Sequence, residues 1–118
     1  MFDIVVYETE NGNNHIETYL KKLAKQKKQN EITRINTYID WLAQEGMEIN
    51  NRHHQAIRPL RDGVYELRPG GHRVFFFGFT GRAFVLLHAY TKAGQKAPPS
   101  QIKQAIQEMN DYIRRHPK

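Results

Sequence analysis

Val64-Tyr65-Glu66-Leu67-Arg68-Pro69-Gly70-Gly71-His72-Arg73-Val74-Phe75-Phe76-Phe77 reads as two strands folded back on each other across a turn. The flanks are rich in β-branched and aromatic residues, and Pro69-Gly70-Gly71 is a strong turn signal. Working outward, the first run reaches back to Ile57, and His72 to Phe79 leads through a second turn, Thr80-Gly81, into Arg82 to Tyr90. The spacing predicts a three-stranded antiparallel meander over 57–68, 72–79 and 82–90.

The other half of the chain has a different period. Phe2, Ile4 and Val6 alternate with Asp3, Val5 and Tyr7 as a strand does. Asn14 with Glu17 three residues on resembles a capping box, and Ile16, Tyr19, Leu20, Leu23 and Ala24 mark one face of a helix running to about Lys27. Ile32, Ile35, Ile39, Leu42 and Ala43 define a second helix with Gly46 as its C-cap, so the two form a hairpin, and 47–55 reads as a loop. Pro98-Pro99-Ser100 launches a last helix with Ile102, Ala105, Ile106, Met109 and Ile113 on one face and a basic tail, 114–118. The expected class is α+β in the order β-α-α-β-β-β-α. An antiparallel twisted sheet carries the helical hairpin on one face, and the first strand joins its edge.

At 118 residues without a Ser/Gly/Pro-rich linker, 1–118 is expected to form one domain. The absence of cysteine removes disulfides, thiolate metal cages and a cysteine nucleophile. No signal peptide is apparent at the start, and the longest apolar stretches, 74–79 and 83–87, fall far short of the ~20 residues a bilayer requires. A cytoplasmic protein without a membrane partner is expected. Eighteen Lys and Arg against twelve Asp and Glu give a net charge of +6, which gathers polyanions and makes nucleic acid the leading partner.

Alternation along strands sorts the polar residues. Val64, Glu66 and Arg68 share a phase, as do Arg73, Phe75 and Phe77, and then Phe84, Leu86, His88 and Tyr90, with Lys92 just beyond. Arg68 and Arg73 flank the Pro-Gly-Gly turn, so hairpin pairing brings them close. Like charges side by side on one face destabilise an empty protein, which makes sense if an anion sits between them. The competing reading is that Glu66 neutralises both in a surface network.

RNA cleavage needs little machinery, because the ribose 2′-hydroxyl can attack its own neighbouring phosphate. A protein supplies a base, a proton for the departing oxygen, and positive charge for the phosphorane. Arg73 and Arg68 suit the charge, since a guanidinium fork matches two phosphate oxygens. His88 is the natural acid or base, Glu66 a second base, and Tyr90 a stacking or proton-transfer group. His88 reads equally well as a half-buried histidine with a structural hydrogen bond, and Tyr90 as packing. The pair His53-His54 lacks the spacing and companions of a metal site, so no metal and no cofactor are expected. Lys21, Lys25 and Lys28 form a stripe that is either a solvated face or a track for RNA phosphates. The run 75–77 reads as core.

Three segments carry a resemblance: Pro59-Leu60-Arg61-Asp62-Gly63-Val64-Tyr65-Glu66-Leu67-Arg68, then Gly71-His72-Arg73-Val74-Phe75-Phe76, then Leu86-Leu87-His88-Ala89-Tyr90-Thr91-Lys92 with Gln95-Lys96-Ala97-Pro98. Over Ile57 to Ala105 the chain resembles the phage-derived HigB-like branch of the RelE/ParE toxin superfamily. The resemblance implies a type II toxin that cleaves mRNA without a metal, commonly on the ribosome, and is silenced by a helix-turn-helix antitoxin. It places the scissile-phosphate contact on Arg73, further basic contacts on Arg61 and Arg68, and the last-strand histidine and tyrosine on His88 and Tyr90. Lys92, Lys96, Lys21 and Lys25 complete the expected RNA-binding set. Where the family often has two lysines after its last-strand aromatic, this chain has Lys92-Ala93. ParE-like members act on DNA gyrase, so a gyrase inhibitor and a basic nucleic-acid-binding module without chemistry are the alternatives.

Overall fold

The computed structural model describes residues 1–117, and Lys118 of the basic tail lies outside them. The elements are β1 (Asp3–Val6), α1 (His15–Lys25), α2 (Gln29–Glu45), a 3-10 turn over Gly46–Asn51, β2 (Ile57–Pro59), β3 (Tyr65–Leu67), β4 (His72–Phe79), β5 (Ala83–Thr91) and α3 (Pro99–Arg115). The sheet order is β1-β5-β4-β3-β2. This is the expected α+β class, with the helical hairpin on one face and α3 on the other.

Two expectations need correction. The run 57–68 is not one strand: it is a hairpin, because Asp62 (φ 56°) and Gly63 (φ 90°) turn left-handed. Leu60 N–H donates to Val64 O at 2.9 Å across that turn, and Ile57 pairs with Leu67 while Pro59 pairs with Tyr65. Asp-Gly is the dipeptide a tight I′ turn selects, so the local chemistry overrides the β-rich composition. The sheet is also not wholly antiparallel, since β1 runs parallel to β5. The helical hairpin returns the chain to the end where β1 finished, so β2 enters against β1. Three further reversals then leave β5 running with it.

Local rules account for the helix ends. Asn14 Oδ1 accepts the Glu17 backbone N–H at 2.9 Å, which satisfies one free donor of the first turn of α1. The Glu17 carboxylate turns to Lys21 Nζ at 2.7 Å instead of closing the box. α2 stops at Gly46 (φ 62°), where the Phe2 ring fills the space a Cβ would need.

The sheet divides the apolar residues into two cores. Beneath the hairpin, Ile16, Tyr19, Leu23, Ile35 and Leu42 pack on Leu67, Val74, Phe76, Phe84 and Leu86. On the other face, Ala105, Met109 and Tyr112 of α3 pack on Val64, Phe75, Phe77, Val85 and Leu87. Phe75 and Phe76 are both fully buried, each stabilising the fold by roughly 1.5–3 kcal/mol. No helix among the described residues is long and apolar enough to cross a membrane.

Candidate nucleic-acid interface

A break in strand register decides what meets Arg73. On β4 and β5, Phe76 pairs with Leu86 but Val74 pairs with Ala89, so Phe75 faces two residues, Leu87 and His88. This bulge inverts the alternation. Before it, Phe84 and Leu86 lie under the hairpin; after it, Ala89 does, and Tyr90 joins the α3 side. The expected single phase for Phe84, Leu86, His88 and Tyr90 therefore fails. Tyr90 nonetheless sits directly across from Arg73, because of the extra residue.

Glu66, paired across the strands with Phe75, lies on the same face. Its Oε2 is 3.7 Å from Arg68 Nε and its Oε1 is 3.9 Å from Arg73 Nε. Both are ion-pair contacts without hydrogen bonds, and Glu66 Oε1 and Arg68 Nε are buried atoms lacking any hydrogen-bond partner among the described residues. Arg68 and Arg73 thus converge on one carboxylate: the turn brings them close as expected, and Glu66 pairs with both as in the competing reading, although buried and not on the surface. The Arg73 side chain is only 7% exposed and Arg68 21%, so Arg68 is the more accessible of the two. Burial lowers the Arg73 pKa and the Arg68 charge lowers it further, while Glu66 opposes both. Burial and the Glu66 charge raise the Tyr90 phenol above its ordinary value.

The Arg73 guanidinium also hooks the turn. Its Nη1 donates to Gly70 O at 2.9 Å and to His72 O at 2.8 Å. Gly70 is left-handed (φ 64°), and Arg34 of α2 comes within 3.1 Å of where its Cβ would be.

Beside Glu66 opens a cavity of about 260 Å³, walled by Pro59, Leu60, Ala97 and Ile102 and rimmed by Arg58, Arg61 and Lys96. The three cations are exposed. Two of them, Arg61 and Lys96, belong to the expected RNA-binding set. Arg58 was missed, because the reading of 57–68 as one strand hid the hairpin that carries it.

His88 stands apart. It is buried at 4% exposure, with Nδ1 2.7 Å from Glu108 Oε1 and Nε2 2.8 Å from Gln101 Oε1. Both partners are on α3, and Glu108 is shared with Gln104 and His15. The expected acid or base is thus buried, with both ring nitrogens held by α3. The Phe75 ring separates it from Tyr90, at 5.1 and 5.4 Å between centroids.

Of the remaining lysines, Lys21 and Lys25 are exposed on α1, Lys21 being paired with Glu17. Lys92 is exposed at the end of β5, where its N–H donates to Gly71 O. His53 stacks on Trp41 at 3.5 Å between ring centroids, with Nε2 3.0 Å from Glu45.

A profile of the phage-derived protein Gp49-like family matches residues 18–110. The chain belongs to this Gp49-like family. No curated protein matches it. The matched span runs from α1 into α3, so every residue of the Glu66 cluster and the cavity rim lies within the Gp49-like region, while Tyr7, Asp111 and Arg115 lie outside it.

Proposed function

We propose that this Gp49-like chain is a toxin-type endoribonuclease that cuts RNA without a metal, and that the Glu66–Arg68–Arg73–Tyr90 cluster does the chemistry. One observation carries the reading: a buried carboxylate shared by two arginines at ion-pair distance, with no hydrogen bond, at the wall of a cavity rimmed by three cations. Buried charges ordinarily complete their hydrogen bonds. A phosphodiester entering past Arg58, Arg61 and Lys96 supplies the acceptors that Arg68 lacks.

In this mechanism the Glu66 carboxylate takes the 2′-hydroxyl proton. The 2′ oxygen then bonds to the adjacent phosphorus, and the bond to the 5′ oxygen breaks, leaving a 2′,3′-cyclic phosphate. Arg68, with Arg73 behind it, stabilises the phosphorane charge. Tyr90, kept protonated by its burial, is still far more acidic than the alcohol it protonates and gives the 5′ oxygen its proton. His88 braces α3 across this face and takes no proton from substrate. The resemblance to RelE/HigB toxins supports mRNA on the ribosome as the target and a helix-turn-helix antitoxin as the partner.

The test is induction of the protein in cells, with primer extension on mRNA beside a plasmid supercoiling assay. Cleavage that disappears in Arg73→Ala and Glu66→Gln supports the reading. Growth arrest with relaxed plasmid and intact mRNA replaces it with gyrase inhibition. Neither effect leaves a basic binding module.

A further inference from the structure

On the opposite face of β4 from Arg73, the side chain of His72 is gripped from two helices. Its Nε2 lies 2.6 Å from Glu31 Oε1 on α2, and its Nδ1 2.6 Å from the Tyr19 hydroxyl on α1, which also meets Thr91 Oγ1 at 2.8 Å. His72 is 3% exposed, so these are its only routes to satisfied nitrogens among the described residues. A carboxylate only accepts, so Nε2–H donates to Glu31. In the neutral ring Nδ1 then accepts the Tyr19 O–H, and the tyrosine oxygen accepts from Thr91.

The same residue offers its carbonyl to Arg73 Nη1. We infer that Glu31, His72 and Tyr19 form a positioning clamp that fixes the residue-72 peptide and so aims the Arg73 guanidinium at the phosphate-facing side of the sheet. The inference rests on the reading of Arg73 as a phosphate-facing group.

The physical case is one of rotation. A guanidinium on a flexible stem loses rotamer entropy when it binds an anion, and a side chain already held in place loses less. Two carbonyls on Nη1 hold one edge of the fork and leave the Nε edge toward Glu66. Those carbonyls stay in place only while the turn does. On the hairpin side, the side chain of His72 is the part of the turn with two short hydrogen bonds into the helices. Residue 72 therefore couples two faces of the sheet: its side chain to the helical hairpin, its carbonyl to the arginine.

Two measurements test this, on the full chain and on variants whose circular dichroism matches the wild type. The first is the nitrogen-15 NMR signal of the Arg73 guanidinium. Restricted rotation gives separate Nη resonances in the wild type, and both Tyr19→Phe and Glu31→Gln should merge them. Unchanged Arg73 resonances in both variants overturn the inference. The second is binding of a short single-stranded 2′-O-methyl RNA, which cannot be cleaved, read by fluorescence anisotropy. Tyr19→Phe and Arg73→Ala should each weaken binding about tenfold, and the double variant no more than Arg73→Ala alone, the non-additivity expected of groups acting as a unit. Additive losses overturn the inference. If the wild type does not bind the oligomer, the nucleic-acid reading falls, and the clamp is decided by the guanidinium signal alone.

Discussion

Glu66 and Arg73 stand on adjacent strands with Oε1 and Nε 3.9 Å apart, paired in charge but not hydrogen bonded. The carboxylate is thereby kept near two cations without being consumed by either, as a proton acceptor for an incoming hydroxyl requires. Glu66→Gln preserves shape and removes the acceptor. We expect RNA cleavage to fall about 10²- to 10⁴-fold, the usual worth of a general base, with the folded state retained. Single-turnover cleavage and thermal unfolding of the same preparation check it.

Arg61 and Lys96 are exposed at the cavity rim, so their contribution to RNA binding should be electrostatic and independent of sequence. Replacing either by alanine should lower the slope of log affinity against log salt by about one, and by a similar amount for any single-stranded sequence. Titrations at several salt concentrations with two unrelated oligomers measure this.

His88 gives the sharpest separation of chemistry from architecture. Its two ring nitrogens tie β5 to Glu108 and Gln101 on α3. His88→Ala leaves a buried carboxylate with one fewer partner and should destabilise the fold by about 1–3 kcal/mol, whereas cleavage measured well below the melting temperature should survive within about tenfold. A loss of cleavage as deep as that of Glu66→Gln at full stability would return His88 to the catalytic set.

The far end of α3 predicts a pH profile for stability. Asp111 accepts from Arg115, Tyr7 and Arg114, and the Arg115 hydrogen bond leads in holding its carboxyl well below the usual carboxylate range. The stabilisation is complete above the ordinary carboxylate pKa and is lost as pH falls below it, so Asp111→Asn should flatten the acid limb of Tm against pH. Burial first, then the bond to Asp111, pushes the Tyr7 phenol up to about 12. Between about pH 10 and that value the unfolded chain ionises its phenol while the native state does not. Stability therefore drops by about 3 kcal/mol as pH rises, and Tyr7→Phe should remove that drop.

Much of this fold is legible in the sequence. Helical periodicity placed α1, α2 and α3 within two residues, and the Pro69-Gly70-Gly71 turn placed Arg68 and Arg73 together. Composition misled at 57–68, where β-rich flanks concealed the Asp62-Gly63 turn; that dipeptide was the available signal, and reading it would have exposed Arg58 as a rim residue. Strict alternation misled on β5, because nothing in Leu86-Leu87-His88-Ala89 announces an inserted residue. The His72 contacts were beyond reach for another reason: Tyr19, Glu31 and Thr91 are distant in sequence, and only the docking of two helices on one strand end brings them within 3 Å.

The doubled step opposite Phe75 has a consequence for how this chain tolerates change. Trimming one residue from Leu87-His88 leaves Phe75 facing a single partner, while the pairs on either side, Phe76 with Leu86 and Val74 with Ala89, stay as they are. Tyr90 then remains before Arg73, and Ala89 remains in the greasy layer beneath the hairpin. Loss of a residue at this spot is therefore better tolerated than gain: one residue fewer completes a regular ladder, whereas one more in an otherwise regular stretch exchanges the inner and outer surfaces of the strand's far end.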